Sequence, residues 1–321
     1  MSTARGKVIL FGEHAVVYGV PAIAVGIDRG AWAKATPAPR CSLHVTGWNA
    51  RATDDASDDA PLARGFRAVV AVTRDAMGDS FPPAAIEAGA DLPPGGGLGC
   101  SAALGVAIAR ALDPSANDGV ISERANAWEQ VFHGNPSGID VAVAARGGCI
   151  AYRKNDDGTR KIEPILLSKP LYFCIGHSGQ ASSTKSMVEA VARYRERKPE
   201  LAQKTFDGIH TLVKNARLAV EAGDVKAIGQ LFDLNQMLLS GLFVSTPEIE
   251  QLCATARTAG ALGAKLTGAG GGGCVVAIVE SRAAGDAVND AWKREGFEGF
   301  TTSVGATESH SSKPVAMEGS P

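Results

Sequence analysis

The chain has 321 residues, of which 45% are hydrophobic and 21% are charged, a composition typical of a globular protein with a full apolar core. Its formal net charge is only -2, so charge gives no reason to expect nucleic acid or an anionic membrane as a partner. A chain of this length predicts two domains.

Cysteine usage and the length of apolar runs indicate the cellular compartment of the protein. The six cysteines are scattered and form no CxxC pair, so neither a zinc site nor a disulfide framework is predicted. The apolar N-terminal stretch is interrupted by Glu13 and His14, and no run reaches the roughly 18 apolar residues of a membrane span. We therefore expect a cytoplasmic protein without a membrane segment.

The N-terminal part of the chain combines a strand and a buried helix. Residues 7–11 (KVILF) predict a buried strand that Gly12 ends. Residues 54–59 carry four acids in six positions and predict a solvated loop without a function. Residues 101–112 are helix formers with apolar positions all round, which predicts a buried helix directly after a glycine-rich loop.

The middle of the chain places a carboxylate after a turn. A helix is predicted at about residues 123–132, and the Gly-Asn-Pro sequence at 134–136 ends it. Ser137, Gly138 and Asp140 follow, and we expect them on a loop. The aspartate then lies within reach of whatever the turn presents.

The remaining elements alternate between strands and helices. Thr246 is a plausible N-cap, because Pro247 and Glu248 suit the first turn of a helix. The polar residues from 306 onward predict a disordered tail. Strands are predicted at 147–152, 171–175 and 274–279, and helices at 183–195, at 206–239 with a break at 223–224, and at 247–259.

A glycine-rich loop at residues 93–103 (PPGGGLGCSAA) is the first segment that carries chemistry. Four glycines in five positions let the backbone approach a ligand closely, and the helix that follows favours phosphate at its N-terminus. The loop lacks the GK[ST] of a P-loop, so a compensating cation must come from Lys7 or magnesium. A plain structural turn is the alternative.

Two carboxylates lie in residues 129–140 (EQVFHGNPSGID). Glu129, on a helix, and the hydroxyl of Ser101 suit a Mg²⁺ ion that keeps several waters and binds mainly through substrate phosphates. Asp140 then serves the acceptor. The alternative makes Glu129 a solvated helix acid and Asp140 a turn residue.

A second glycine cluster lies in residues 265–277 (KLTGAGGGGCVVA). Two glycine clusters far apart in sequence suggest two backbone surfaces that close on one ligand. Glycines beside a strand also serve packing alone, so this cluster by itself does not predict a site.

Taken together and in this order, the three segments resemble the motifs of the GHMP kinase superfamily, and the resemblance spans residues 7–278. Residues 6–24 (GKVILFGEHAVVYGVPAIA) and 133–140 (HGNPSGID) look like the branch that phosphorylates mevalonate. Residues 176–183 (GHSGQASS) are also similar to the branch that phosphorylates phosphomevalonate. Residue 100 is a cysteine where the family has the first serine of a pair.

The resemblance implies an α+β fold of two domains. Residues 1–168 would form an N-terminal domain like domain 2 of ribosomal protein S5, with the nucleotide loop and the catalytic residues. Residues 169–305 would form a ferredoxin-like α/β domain with added helices, and residues 306–321 a tail. Substrate and ATP would meet between the two domains.

The resemblance also implies an activity and its residues. ATP and Mg²⁺ are the expected cofactors, and the γ-phosphoryl group would pass to the primary hydroxyl of mevalonate. Asp140 would be the catalytic carboxylate, with Lys7 beside it. The implied ligand sets are Glu13, His14, Gly138 and Thr184 for mevalonate, Pro94, Gly95, Gly96, Gly97, Leu98, Gly99, Cys100, Ser101, Gly268, Ala269 and Gly270 for the nucleotide, and Ser101 and Glu129 for the metal.

Three other interpretations compete with this one. A phosphomevalonate kinase or another small-molecule kinase of the superfamily shares the motifs. A nucleotide or metabolite sensor on the same fold needs the loops but no catalytic base. An NAD-binding oxidoreductase needs a GxGxxG spacing that residues 95–101 lack. The oligomeric state is undetermined, with a homodimer as one option.

Overall fold

The computed structural model describes residues 1–54, 58–93, 95–134, 136–155, 157–181 and 183–305. Within these residues the chain forms eleven strands and nine α-helices around two sheets. Three sequence predictions lie wholly or partly outside the described residues, namely the tail at 306–321, the acidic loop at 54–59 and the ligand role of Pro94.

The first sheet is built around one long strand, β2, which pairs with β1, β5 and β6. The strand order is β4-β3-β5-β2-β6-β7, with β1 beside β2, and only the pairing of β3 with β5 is parallel. The strands are β1 (Ser2–Phe11), β2 (Ala22–Pro37), β3 (Ser42–Val45), β4 (Ala50–Thr53), β5 (Ala84–Ala90), β6 (Cys149–Lys154) and β7 (Arg160–Ile165).

The second sheet is fully antiparallel, with the order β11-β8-β10-β9. Its strands are β8 (Leu171–His177), β9 (Gly263–Thr267), β10 (Cys274–Val279) and β11 (Glu298–Val304). The two sheets therefore take their strands from separate stretches of chain. The domain boundary at residues 168 and 169 stays a prediction.

In the part of the chain that the structure describes, nine α-helices accompany the sheets. They are α1 (Pro61–Met77), α2 (Cys100–Leu112), α3 (Asp118–His133), α4 (Ile139–Arg146), α5 (Thr184–Arg197), α6 (Pro199–Ala222), α7 (Val225–Gly241), α8 (Pro247–Thr258) and α9 (Arg282–Arg294). In the described part of the chain, no helix combines the length and the apolar character that crossing a bilayer requires.

Helix α2 occupies the centre of the first half of the molecule. It packs against β1, β2 and β5, and 11 of its 13 residues are buried. An apolar surface all round the helix requires this burial, as the sequence predicted. The glycine-rich loop that feeds α2 is thereby fixed at the edge of the core.

Two predicted helix boundaries are confirmed by their caps. Gly223 adopts a left-handed conformation and ends α6, and the side chain of Asp224 accepts a hydrogen bond from the backbone N–H of Ala227 at the start of α7. The Thr246 hydroxyl accepts from Ile249 N at 3.4 Å. Both caps use side-chain oxygens that satisfy otherwise unpaired N–H groups.

Two predictions in the middle of the chain are wrong. Helix α3 begins at Asp118, five residues before the predicted start, because Asn117 caps it by accepting from Val120 N at 3.1 Å. Asp140 is not on a loop but in the first turn of α4. That helix has only eight residues, too few for its apolar pattern to be distinguished from a turn.

Candidate active site

Lys7, in β1, lies at the centre of the assembled site. Its Nζ is 2.9 Å from Asp140 Oδ1 and donates a hydrogen bond to the carbonyl oxygen of Gly97 at 3.1 Å. Its backbone N–H donates to the carbonyl oxygen of Leu98 at 2.8 Å. One side chain therefore joins the predicted catalytic carboxylate to the predicted phosphate loop.

The two partners of this ion pair differ in exposure. The Lys7 side chain is 5% exposed and that of Asp140 is 32% exposed. The ammonium is thus held inside the protein, whereas the carboxylate keeps an open side. A reactant that reaches Asp140 also comes close to a fixed positive charge.

The start of α4 explains the position of Asp140. Gly138 precedes the helix with φ 88°, a backbone conformation that side chains with a Cβ rarely adopt. Ile139, Val141 and Ala142 are buried, so the apolar positions of α4 fix its rotation. The Asp140 carboxylate then lies in the first turn, where the helix dipole stabilises a negative charge.

The loop before α2 is open for a ligand. Gly95 and Gly97 are exposed, and Gly99 is the N-cap of α2. A glycine N-cap has no side chain to bind the first N–H groups of the helix, so these groups stay available for an anion.

The buried residues of this loop face the interior. Leu98 is 1% exposed. The Cys100 thiol is buried, which raises its pKa to about 11, and its Sγ lies 3.9 Å from the carbonyl oxygen of Leu92. The cysteine side chain therefore packs inward, away from the open side of the loop.

The second glycine cluster, at residues 268–273 between β9 and β10, lies directly against the first. A Cβ added to Gly268 would lie 3.5 Å from the carbonyl oxygen of Gly97, and one added to Gly273 would lie 3.3 Å from that of Gly96. The backbones of the two clusters are therefore close neighbours. The expected meeting of two glycine-rich backbones is therefore present.

Ser101 and Glu129 form a compact polar pair beside the loop. Ser101 Oγ donates to Glu129 Oε1 at 2.6 Å and accepts from Trp128 Nε1 at 3.2 Å. The Glu129 carboxylate is almost fully buried, and this burial raises its pKa to about 7, with Asp140 adding to the effect while Ser101 and Lys7 oppose it. His133 Nε2 lies 3.7 Å from Glu129 Oε2.

This pair suits a cation that brings most of its own ligands. A buried carboxylate with a raised pKa gains from a nearby positive charge. Among the described residues, no group of three or more His, Cys, Asp and Glu side chains is placed to hold a metal. A hydroxyl and one carboxylate are what Mg²⁺ takes when phosphates and water complete its shell.

Glu13 lies in a sealed part of the molecule. Its Oε1 forms an ion pair with Lys265 Nζ, and its Oε2 accepts from Asn235 Nδ2 at 3.2 Å. The side chains of Glu13 and Lys265 are both fully buried. Both carboxylate oxygens thus have internal partners, and this explains the burial of Glu13 without any ligand.

His14 connects the end of β1 with the second glycine cluster. Its Nε2 donates to the carbonyl oxygen of Ala269 at 2.8 Å. Burial lowers the pKa of the imidazole, so the ring is neutral at pH 7 and donates through one nitrogen. Nearby, the Thr267 hydroxyl accepts from Ile9 N and donates to Ile9 O, both at 3.0 Å.

Thr184 is the fourth residue predicted to bind mevalonate. It is exposed at the first position of α5. The segment just before it does reach the glycine clusters, because the Gln180 carbonyl oxygen accepts from Gly273 N at 2.9 Å. A Cβ added to Gly95 would lie 3.2 Å from Ala181 Cβ, so this segment borders both loops.

Sequence reasoning missed the interior partners of the site. Lys265 and Asn235 hold Glu13, and Trp128 holds Ser101. One signal was available for Lys265. Lys265 lies between the apolar residues Ala264 and Leu266, where burial is expected, and a buried lysine is usually paired with a carboxylate.

Comparison with known proteins agrees with the fold and the site geometry. A model of the GHMP kinase N-terminal domain matches residues 64–148, and a model of the GHMP kinase C-terminal region matches residues 216–298. The chain belongs to the GHMP kinase family, whose members use ATP, and the predicted α+β fold is confirmed.

Individual relatives indicate which branch of the GHMP kinase family is most similar to this chain. A protein of Thermococcus gammatolerans named mevalonate kinase is 33% identical over 88% of this chain and 90% of its own length. One of Aeropyrum pernix with the same name is 35% identical over 86% and 87%. A crystal structure of Leishmania major mevalonate kinase in complex with R-mevalonate matches with a TM-score of 0.81 at 30% identity, covering 94% of this chain and 95% of that one. Within the family, the chain groups with the mevalonate kinases.

Proposed function

We propose that the protein transfers the γ-phosphoryl group of ATP to the primary hydroxyl of mevalonate, giving ADP and 5-phosphomevalonate, a step of isoprenoid biosynthesis. The observation that carries this proposal is the ion pair between Lys7 Nζ and Asp140 Oδ1, 2.9 Å apart beside the glycine-rich loop. The names of the relatives support mevalonate as the acceptor.

Asp140 is the group that receives or orients the hydroxyl proton of the acceptor. Its carboxylate has an open side, so the acceptor oxygen can approach within hydrogen-bond distance. The Lys7 ammonium, 2.9 Å from the carboxylate, stabilises negative charge on the transferring group. Phosphoryl transfer depends chiefly on such positioning and electrostatic stabilisation.

The glycine-rich loop holds the phosphates. The loop leads into the N-terminus of α2 at Gly99 and Cys100, where the first backbone N–H groups of the helix and its dipole favour negative charge. Residues 268–270 supply a second backbone surface within contact distance of the first. Cys100 contributes its backbone, because its thiol is packed inward.

Ser101 and Glu129 would hold Mg²⁺, with water and phosphate oxygens as the other ligands. When bound, the ion neutralises charge on the β- and γ-phosphates. The Glu129 carboxylate, whose burial raises its pKa, is present in its charged form when a cation lies beside it. Ser101 Oγ, 2.6 Å from Glu129 Oε1, fixes the orientation of that carboxylate.

Mevalonate is bound by His14, Gly138 and Thr184. Glu13 takes part indirectly, since its carboxylate is held by Lys265 and Asn235. It fixes the segment that carries His14 and does not offer a free carboxylate to the substrate.

A coupled assay of ADP release tests this function. Mevalonate, phosphomevalonate, galactose and homoserine are offered in parallel with ATP and Mg²⁺. We expect mevalonate to give the highest kcat/KM. Preference for phosphomevalonate would make the protein a phosphomevalonate kinase, and nucleotide binding without acceptor-dependent ADP release would make it a sensor.

A further inference from the structure

Trp128 is a buried side chain beside the site to which the proposed function gives no part. It lies in α3, next to Glu129, and is almost fully buried. Its indole Nε1 donates a hydrogen bond to Ser101 Oγ at 3.2 Å. A buried indole N–H needs an acceptor, and here the acceptor is one of the two groups assigned to Mg²⁺.

Two neighbouring helices fix the position of the indole. A Cβ added to Gly105 in α2 would lie 2.8 Å from Trp128 Cδ1, and one added to Gly65 in α1 would lie 3.1 Å from its Cε3. The ring centroid of Phe132 lies 5.1 Å from that of Trp128. The indole therefore fills a slot between two helix backbones, and this packing sets the direction of its N–H.

The hydrogen-bonding capacity of Ser101 makes the contact directional. A serine hydroxyl has one proton to donate and two lone pairs that accept, whereas an indole N–H only donates. Trp128 therefore occupies one lone pair of Ser101 Oγ, and the hydroxyl proton is directed to Glu129 Oε1, 2.6 Å away. The second lone pair of the hydroxyl remains for a cation.

The same contact opposes a competing arrangement of the hydroxyl. Ser101 is the second residue of α2, and a serine in a helix can donate to a carbonyl oxygen one turn earlier. In this helix the carbonyl oxygens one turn earlier, those of Gly97 and Leu98, accept from Lys7. A donor fixed beside Ser101 Oγ holds the oxygen toward its carboxylate partner, so the hydroxyl does not compete with Lys7 for the loop.

A second buried tryptophan shows what this contact adds. Trp292 in α9 is fully buried, and its Nε1 donates to the backbone carbonyl oxygen of Leu252 at 2.9 Å. A carbonyl oxygen has no proton to direct, so this bond only satisfies the indole N–H. Trp128 instead donates to a side chain that can rotate. The two tryptophans are therefore matched in burial and in hydrogen bonding, and they differ in what the N–H controls.

We propose that Trp128 is a positioning residue for Mg²⁺, because its N–H fixes the Ser101 hydroxyl with one lone pair held ready for the ion. The inference rests on the proposed function and deepens it. A ligand that is held in its binding orientation beforehand loses less freedom when the ion binds. Trp128 acts through Ser101 and is not itself a ligand, since an indole N–H has no lone pair to offer.

The test compares Trp128→Phe with the control Trp292→Phe by calorimetry of ADP binding at a series of Mg²⁺ concentrations. We expect Trp128→Phe to need about 3- to 10-fold more Mg²⁺ for half of the Mg²⁺-dependent gain in ADP affinity, as for the loss of one neutral hydrogen bond. Trp292→Phe loses the same N–H and the same ring area. Its Mg²⁺ requirement should match that of the wild type.

Steady-state kinetics separates positioning from a general loss of structure. With Mg²⁺ as the varied component, Trp128→Phe should need about 3- to 10-fold more Mg²⁺ for half-maximal turnover, and excess Mg²⁺ should restore most of kcat. KM for mevalonate should change less than about 2-fold. A residue that only supports the fold would lower kcat at every Mg²⁺ concentration, and that result would overturn the proposal.

Ser101→Ala tests whether the effect passes through the hydroxyl. In a double-mutant cycle, Trp128→Phe should have no further effect on the Mg²⁺ requirement once the hydroxyl is absent. Additive effects of the two substitutions would overturn the proposal. A folded Trp128→Phe protein that needs no more Mg²⁺ than the wild type would overturn it as well.

Tryptophan fluorescence gives a readout that needs no substitution of Trp128. Mg²⁺ added together with ADP should shift the emission of the wild type, because the oxygen that accepts from the indole N–H gains a cation. At saturating ADP and Mg²⁺, this shift should be absent in Ser101→Ala. Wild-type emission that does not respond to Mg²⁺, or an equal response in Ser101→Ala, would contradict the proposed role of Trp128.

The two hypotheses fail in different ways. If ADP binding to the wild type does not depend on Mg²⁺, the assignment of Ser101 and Glu129 to the ion is wrong, and the role of Trp128 is wrong with it. If the dependence is present and Trp128→Phe behaves like Trp292→Phe, the proposed function stands and only the role of Trp128 is wrong.

Discussion

Two lysine–carboxylate pairs lie at the two ends of one segment and have opposite characters. Lys7 pairs with Asp140, whose side chain is 32% exposed, whereas Lys265 pairs with Glu13 and both side chains are 0% exposed. The chemical groups are the same in both pairs. Their access to solvent and ligand separates a pair that can react from one that can only hold the fold together.

The neighbours of each pair account for this difference. Lys265 Nζ also donates to the carbonyl oxygen of Leu266 and lies 5.7 Å from the ring centroid of Phe232, and Asn235 takes the second oxygen of Glu13. Among the described residues, Lys7 alone holds the Asp140 carboxylate. A saturated buried pair is costly to break, and an unsaturated one is available for a substrate.

The largest expected effect comes from breaking the sealed pair. Lys265→Met should lower the free energy of unfolding by about 3 to 5 kcal/mol, because Glu13 is left buried without its partner. The double variant Glu13→Gln with Lys265→Met should recover much of this loss. Chemical denaturation measures both.

The partly exposed pair of Arg217 and Glu163 is the control for that measurement. Arg217→Met should change stability far less, since solvent screens an exposed pair. A Lys265→Met variant as stable as Arg217→Met would contradict the structural role of the sealed pair.

Breaking the partly exposed pair of Lys7 and Asp140 should lower activity and leave stability nearly unchanged. Asp140→Asn should reduce turnover by about 10²-fold or more, as for the loss of a positioned proton acceptor, with little change in thermal stability. Steady-state kinetics and a melting curve on the same sample measure the two effects.

Asp118 gives a matched control, since it also lies in the first turn of a helix. Asp118→Asn removes the same helix-dipole interaction without touching the site, and turnover should be unchanged. Nearly wild-type turnover in folded Asp140→Asn would refute the role of Asp140.

The exposure of the Glu129 carboxylate lies between that of Glu13 and that of Asp140. Its protonation equilibrium gives a further test of how burial changes a carboxylate. Burial raises its pKa from 4.5 to about 7, so the folded protein binds this proton more tightly than the unfolded chain. The resulting stabilisation is complete below pH 4.5 and is lost as the pH rises through 7. The full stabilisation is on the order of 3 kcal/mol.

Glu129→Gln removes this titration. Without metal and nucleotide, the stability of the wild type should fall between pH 5 and pH 8 by more than that of the variant. Denaturant titrations at both pH values measure the difference. Parallel pH profiles would show that Glu129 does not have the raised pKa.

The smallest expected effect concerns the two hydrogen bonds between Thr267 and Ile9, beside the buried pair of Glu13 and Lys265. Thr267→Val leaves the buried N–H and C=O of Ile9 without the hydroxyl that binds both, at a cost of about 1 to 3 kcal/mol. Thr258→Val, at an exposed position of α8, is the control, with an expected change within about 0.5 kcal/mol. Equal effects of the two substitutions would show that the hydrogen bonds of Thr267 do not add to the free energy of unfolding.

Much of the site was predictable because its signals are local. The glycine-rich loop that feeds α2, the strand that carries Lys7 and the glycine cluster before β10 each depend on residues adjacent in sequence. Local steric freedom and hydrophobic pattern decide such features. The helix that carries Asp140 escaped prediction because eight residues give too short a pattern.

Contacts between residues far apart in sequence could not be predicted from such local patterns. Glu13 and Lys265 are 252 positions apart. Their opposite charges do not identify them as partners, because the chain offers many other combinations of an acid and a base. The strand order β4-β3-β5-β2-β6-β7 likewise follows from which apolar faces pack together.

By itself, the sequence determined which residues could bind phosphate, hold a cation or accept a proton, since these capacities belong to side-chain type and to short stretches of backbone. Tertiary structure alone decided which carboxylate stays open and which is sealed. Burial and partner choice arise when distant segments compete for the same interior space, and that competition is settled only by the packing of the whole chain.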